Sequence, residues 1–299
     1  MAAITTSGLT KYYGKTPGIL DLDLEVSVGE VFGFIGPNGA GKSTTIRTLL
    51  DLLHPDAGKA TIFGLDTHHD SVEIRRRTGY LPGDLAMYEN MTGRELCLYL
   101  SNLRGVQTRA RVDELAQRLQ LDLDHKIGAY STGNRQKVGI VQAFMHDPEL
   151  LILDEPSAGL DPLMQQELYG LIEEAKTAER TVFLSSHVLP EVERVADTVG
   201  IVRSARLVAL ETIDGLKAKT RRRVDLVFAA PVDPAPFRAL DSVADVTVGN
   251  HGDRLEVTVK GSLDQVVKAA ATHDVVNVIT HEGDLEDAFL TYYRGEDAS

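Results

Sequence analysis

The stretch GPNGAGKST, residues 36–44, constrains this chain more than any other. It fits the pattern G-x-x-x-x-G-K-[ST], and the flanking sequence supplies the context that pattern requires. The apolar run EVFGFIGP (30–37) leads into it and the helical pattern TTIRTLLDLL leads out. Gly36, Gly39 and Gly41 permit a tight loop whose backbone N–H groups converge on an anion. The helix start behind the loop adds its dipole. The loop residues Gly36, Pro37, Asn38, Gly39, Ala40, Gly41, Lys42, Ser43 and Thr44 are therefore candidates to wrap a nucleotide phosphate chain. Lys42 would place a point charge on the β- and γ-phosphates, and Ser43 would offer its hydroxyl to Mg²⁺.

Two further runs, ELLILDEP (149–156) and RTVFLSSH (180–187), are apolar on both faces, as strands buried between helix layers are. Short apolar runs alternate with longer helical patterns, so the fold class is α/β with a largely parallel sheet. Strand ends then become informative. Asp154 would reach the metal shell, and Glu155 stands where a general base could polarise an attacking water. His187 ends the third run, poised toward a γ-phosphate. Between the first two runs lies a mostly helical subdomain, about residues 84–147. In it Val112, Leu115 and Leu119 mark one apolar helix face.

Composition limits the partners. Among 299 residues, 31 Lys and Arg face 44 Asp and Glu, a formal charge of −13. That balance argues against broad nucleic-acid binding, which needs basic surface. The one cysteine, Cys97, excludes an internal disulfide and sits in the helical pattern RELCLYL, which reads as a buried, inert thiol. The beginning lacks the basic and apolar regions of a signal peptide, and no run approaches the roughly 18 apolar residues of a membrane span. Work at a membrane would then need a partner. DTHHD (66–70) reads as a solvated loop rather than a metal site, because adjacent side chains diverge on any regular element. RRR at 75–77 reads as a solvated face, with a rim contact to a partner the lesser reading.

The character changes near residue 218. KAKTRRR (217–223) reads as a basic linker, with lipid contact of its arginines the lesser reading. Beyond it the pattern gives strand 224–229, helix 234–240, strands 243–248 and 254–259 joined by GNHGD, helix 263–272 and strand 275–280. That β-α-β-β-α-β order is the ferredoxin-like arrangement. A closing helix is expected over 284–294. The division is a nucleotide-binding domain, 1–218, and a small α+β domain, 219–299.

The stretch YSTGNRQKVGIVQA (130–143) resembles the signature of ATP-binding cassette (ABC) ATPases, LSGGQ followed by R-Q-[RK]-V. Ser131, Gly133, Arg135, Gln136, Lys137 and Val138 match, while Tyr130, Thr132 and Asn134 depart. Physically it is a second anion-ready helix start, with Ser131 able to cap it. The resemblance covers about residues 1–218 through six ordered motifs, and implies a P-loop ABC cassette. It implies that Tyr13, ahead of Tyr12, stacks on adenine and that His187 is the switch histidine. SAGLD (157–161), ending in Asp161, would cross a dimer interface, and Ser131, Gly133 and Asn134 would close over ATP held by the second copy.

GDLEDAFLTYYRG near the end makes the chain similar to ATPase subunits of ABC-2 type drug exporters. The implied function is an ATP- and Mg²⁺-using ATPase. It would work as a homodimer with two shared sites, on the cytoplasmic face of a cell membrane, powering a separate membrane-spanning permease with drug or lipid-like cargo. The alternatives are an ABC ATPase outside transport, of the iron–sulfur assembly type, and a degenerate cassette that binds without hydrolysing.

The departure that keeps the last alternative open is Gly83, in GYLPGDLAMYENMTGRE (79–95), where the family carries glutamine. Three arrangements accommodate it. The metal is held by Ser43, Asp154, phosphates and water; or Asp84 replaces the amide; or the site hydrolyses poorly. The first is preferred, because Lys42, Asp154, Glu155 and His187 are all retained.

Overall fold

The three buried runs form the middle of one parallel sheet. The computed structural model describes residues 1–219, 221–249, 251–260 and 262–281. In it the chain divides into two compact units, Met1–Leu210 and Glu211–Ser299.

The first unit opens with long strands β1 (Ala2–Tyr13) and β2 (Thr16–Ser27), then β3 (Val31–Ile35) and α1 (Lys42–Leu49). β4 (Ala57–Ile62), β5 (Leu65–Asp66), α2 (Ser71–Arg77) and β6 (Thr78–Leu81) follow. Next come α3 (Gly93–Arg104), α4 (Arg109–Arg118), a 3₁₀ turn at Ile127–Ala129 and α5 (Thr132–Phe144), which together make up the expected helical stretch. β7 (Leu150–Asp154), α6 (Pro162–Thr177), β8 (Thr181–Ser186), α7 (Leu189–Val195), β9 (Thr198–Arg203) and β10 (Arg206–Thr212) complete the order.

β6, β7, β8, β3 and β9 lie side by side and parallel, with β10 at the edge. β3, β7 and β8 are buried along their whole length, as strands covered on both faces must be. Phe32 and Phe34 of β3 pack on Phe183 of β8 at ring separations of 5.4 and 5.3 Å. Each such pair adds about 0.5–1.5 kcal/mol beyond its buried area. Gly33 lies between those phenylalanines. A Cβ there would stand 2.2 Å from Val192 Cγ1 of α7, so the bare backbone lets the helix press onto the central strand. A second sheet, in the order β2-β1-β4-β5, is antiparallel throughout.

The helical stretch presents the face read from its spacing. Val112, Leu115 and Leu119 are 0–1% exposed. Thr92 and Glu95 form a reciprocal capping box at the start of α3. Cys97, one turn into that helix, is fully buried, and burial pushes its thiol up to about 12. RRR at 75–77 departs from a plain solvated face. Arg77 makes a two-bond pair with Glu149 and lies 4.4 Å from the Phe63 ring centre, while Arg75 donates to the Leu50 carbonyl.

The second unit contains α8 (Ile213–Lys219), β11 (Arg221–Phe228), α9 (Ala235–Arg238), β12 (Val243–Val248), β13 (Arg254–Lys260), α10 (Asp264–Ala270) and β14 (Val275–His281). The β-α-β-β-α-β order is present, and the sheet runs β12-β13-β11-β14 with antiparallel neighbours. Val224, Leu226, Phe237, Leu255 and Val257 fill its core. KAKTRRR is not a linker. Its first residues end α8 and its last begin β11, an interior strand paired on both sides. Backbone pairing there overrides what the polar composition suggests. The expected helix at 284–294 lies outside the described residues.

Candidate functional site

The candidate phosphate loop joins the C-terminal end of β3 to α1, where a parallel sheet opens toward ligands. Gly41 closes it with φ 111°, and a Cβ there would lie 2.3 Å from the Gly18 carbonyl oxygen. Only glycine meets both conditions without strain. Lys42 begins the helix, 6% exposed. Its Nζ donates to the Gly36 carbonyl at 2.7 Å and the Pro37 carbonyl at 3.3 Å, and stands 3.2 Å from Glu155 Oε1. Ala40 N donates to the Pro37 carbonyl at 3.1 Å, tightening the turn.

The strand ends converge opposite. Asp154 is 1% exposed, and Ser185 of the neighbouring strand donates its hydroxyl to Oδ1. Glu155 takes a left-handed φ of 50°, rare for a side chain of its size. Its N–H donates to the Ser185 carbonyl at 3.1 Å. That turn swings the carboxylate between two side chains: the Lys42 ammonium on Oε1, and the His187 ring, whose Nδ1 is 2.6 Å from Oε2. Glu155 thus bridges the loop that would hold phosphate and the tip of β8.

A cavity of about 580 Å³ gathers these groups. Its wall includes Tyr13, Asn38, Gly39, Gly41, Lys42, Ser43, Thr44, Asp154, Glu155 and His187. Gly36, Pro37 and Ala40 act from behind, through the contacts just given. The Tyr13 hydroxyl is 3.4 Å from Thr44 Oγ1, whereas Tyr12 is outside the wall and its N–H is bound to Asp56. Ser131, Gly133, Asn134 and Asp161 are not in the wall. Ser131 caps α5, accepting from Asn134 N at 3.3 Å. Asp161 caps α6, accepting from the N–H groups of Leu163 and Met164. A Cβ on Gly133 would come 2.7 Å from the Gly159 carbonyl, so the signature start and the SAGLD loop lie against each other. They form a separate face.

Two contributors, Ser185 and Arg47, went unread in the sequence, as did the contact made by the signature residue Gln136. Ser185 orients Asp154, and its signal was a small hydroxyl inside a buried apolar strand. Gln136 donates through Nε2 to the Pro156 carbonyl at 2.9 Å, tying α5 to the loop after β7. Arg47, one turn along α1 from Lys42, reaches the cavity wall.

Asp154 and Ser43 share that wall and supply only oxygen donors, the hard set that Mg²⁺ takes. The residues present therefore fit a Mg²⁺ ion. Gly83 and Asp84 are in the same wall. A Cβ on Gly83 would stand 3.2 Å from Asp154 Oδ2, so any side chain there leans on the candidate metal carboxylate. Gly83→Gln is expected to change Mg-ATP affinity by less than about threefold, because the amide meets Asp154 rather than the phosphate loop. Titration with a fluorescent nucleotide, with and without Mg²⁺, checks this. A gain of about tenfold or more that requires Mg²⁺ would show that coordination is impaired by the glycine.

Comparison with known proteins carries the geometry further. Residues 19–158 match the ABC transporter family. The chain is 40% identical to the bacitracin transport ATP-binding protein BcrA of Bacillus licheniformis, over 74% of each chain. It is 35% identical to the daunorubicin resistance ATP-binding protein DrrA3 of Streptomyces coeruleorubidus, over 99% of this chain and 96% of that one. Among solved structures, an ATP-binding subunit of an ABC transporter is similar at 32% identity with a TM-score of 0.68, covering 72% of this chain and 92% of that chain. With its phosphate loop, its paired strand-end acids and these relatives, the chain belongs to the ABC transporter family, as an ATP-binding subunit that hydrolyses ATP to drive transport.

Proposed function

We propose that two copies of this chain close around two ATP molecules on a separate membrane-spanning permease and power export of a drug or lipid-like compound. The observation that carries the reading is the split of the site. The phosphate loop, Asp154, Glu155 and His187 face one cavity, while Ser131, Gly133 and Asn134 lie outside its wall. That separation supports a reading in which a second copy brings its signature face to the nucleotide held by the first. The names of the bacitracin and daunorubicin relatives support the cargo class. Among the described residues no helix is long and apolar enough to cross a membrane, which fits a subunit held at the cytoplasmic face by its permease. Tyr99 and Leu103 of α3, with nearby Tyr88 and Val106, are exposed apolar side chains suited to receive a helix of that permease.

In this reading residues 1–218 bind nucleotide and 219–299 steady the dimer or its membrane contact. Tyr13 stacks on adenine and the loop N–H groups take the phosphates. The arriving phosphate charge draws Lys42 from Glu155, freeing Oε1 to accept a proton from the attacking water. His187 stays on Oε2 and holds the carboxylate in place. Ser43 and Asp154 would hold Mg²⁺, which when bound neutralises charge developing on the transferred phosphoryl group. The test is turnover measured against protein concentration. The expected rate per chain rises with concentration until dimers saturate, and a rate per chain independent of concentration in a chain shown to be monomeric would sink the shared-site reading.

A further inference from the structure

We propose that Asp51, His54 and His68 form a binding site for one divalent transition ion of the zinc class, separate from the nucleotide cavity. The three side chains come from two places in the chain. Asp51 and His54 follow α1, and His68 lies in the turn between β5 and α2. One carboxylate oxygen, Asp51 Oδ1, is met by His68 Nδ1 at 2.9 Å and by His54 Nδ1 at 3.1 Å. All three donor atoms lie within 4.8 Å of one another. Donors around a tetrahedral ion with bonds of about 2.0 Å stand about 3.3 Å apart, so small side-chain rotations would seat one. Two imidazoles and one carboxylate select zinc, copper or nickel over Mg²⁺, which prefers oxygen. The fourth position is left to water.

The ligands are held before any ion arrives. Asp51 takes a left-handed φ of 56° just beyond the helix, and its N–H donates to the Thr48 carbonyl. Asp66 Oδ1 accepts from the N–H groups of both His68 and His69, fixing the turn that presents the His68 ring. The His54 and His68 rings meet edge to face at 4.8 Å. A bound ion would tie the far end of α1 to the β5–α2 turn. That helix begins at Lys42, so the ion would brace the element on which the phosphate loop rests. The inference does not depend on the transport reading.

The experiment titrates the untagged, nucleotide-free full chain with Zn²⁺ against a chromophoric chelator, alongside His54→Gln, His68→Gln and Asp51→Asn. Both histidines are exposed, so their replacement leaves the core untouched. The wild type is expected to bind one ion that each variant weakens by about 100-fold or more, since removing an outer-shell partner alone costs roughly 10- to 100-fold. At a hundredfold excess over Kd, Zn²⁺ should raise the wild-type Tm by about 5 °C and leave His68→Gln unmoved. Mg²⁺ should reproduce neither effect. Zinc affinity and thermal shift unchanged in all three variants would overturn the proposal.

Discussion

Glu155→Gln is expected to lower steady-state ATP turnover by about 10²- to 10⁴-fold, the range that one positioned general base contributes. ATP affinity should stay within about threefold. The substitution is gentle on the structure. A glutamine carbonyl can still accept from Lys42, and its amide can still meet His187, so the bridge between phosphate loop and β8 survives. What vanishes is the capacity to take a proton from water. Single-turnover measurements with nucleotide-binding controls separate the two quantities. A variant that keeps more than about a tenth of wild-type turnover would remove Glu155 from the role of base.

Lys42→Ala should act on the other quantity. Charge-assisted bonds to phosphate contribute about 1.5–3 kcal/mol, so affinity for Mg-ATP should fall roughly 10- to 100-fold, with turnover falling alongside. The loss has a structural share too. Lys42 Nζ is buried against the Gly36 and Pro37 carbonyls, and without it the Glu155 carboxylate loses its ammonium partner. Calorimetric titration, paired with a melting curve to confirm folding, reads the effect. Affinity equal to wild type in a folded variant would place the phosphates elsewhere.

These two residues were legible early because their context is local. A buried strand, a glycine-rich turn and a helix follow one another within about twenty residues, and the strand-end acids sit in a similarly short window. The fold class was readable for the same reason: β3, β7 and β8 are apolar on both faces, and few elements other than parallel strands look like that. What escaped reading is set by distance along the chain. Ser185 orients Asp154 across a gap of 31 residues, which no local pattern reports. DTHHD reads as a solvated loop and its histidines are exposed, but no local pattern reports the contact that His68 makes with another segment. His68 meets Asp51 and His54, which lie just past the end of α1 and two strands earlier in the chain. The linker reading of KAKTRRR did fail. Its composition is that of a bridge, but its backbone is an interior strand with neighbours on both sides.

Gly33 carries a consequence for how this chain can change. At Gly33 the strand that delivers the phosphate loop offers bare backbone to Val192 of the helix that follows His187. The phosphate loop and His187 are therefore positioned from one shared contact. A side chain at position 33 would push that helix off the strand and so move both together.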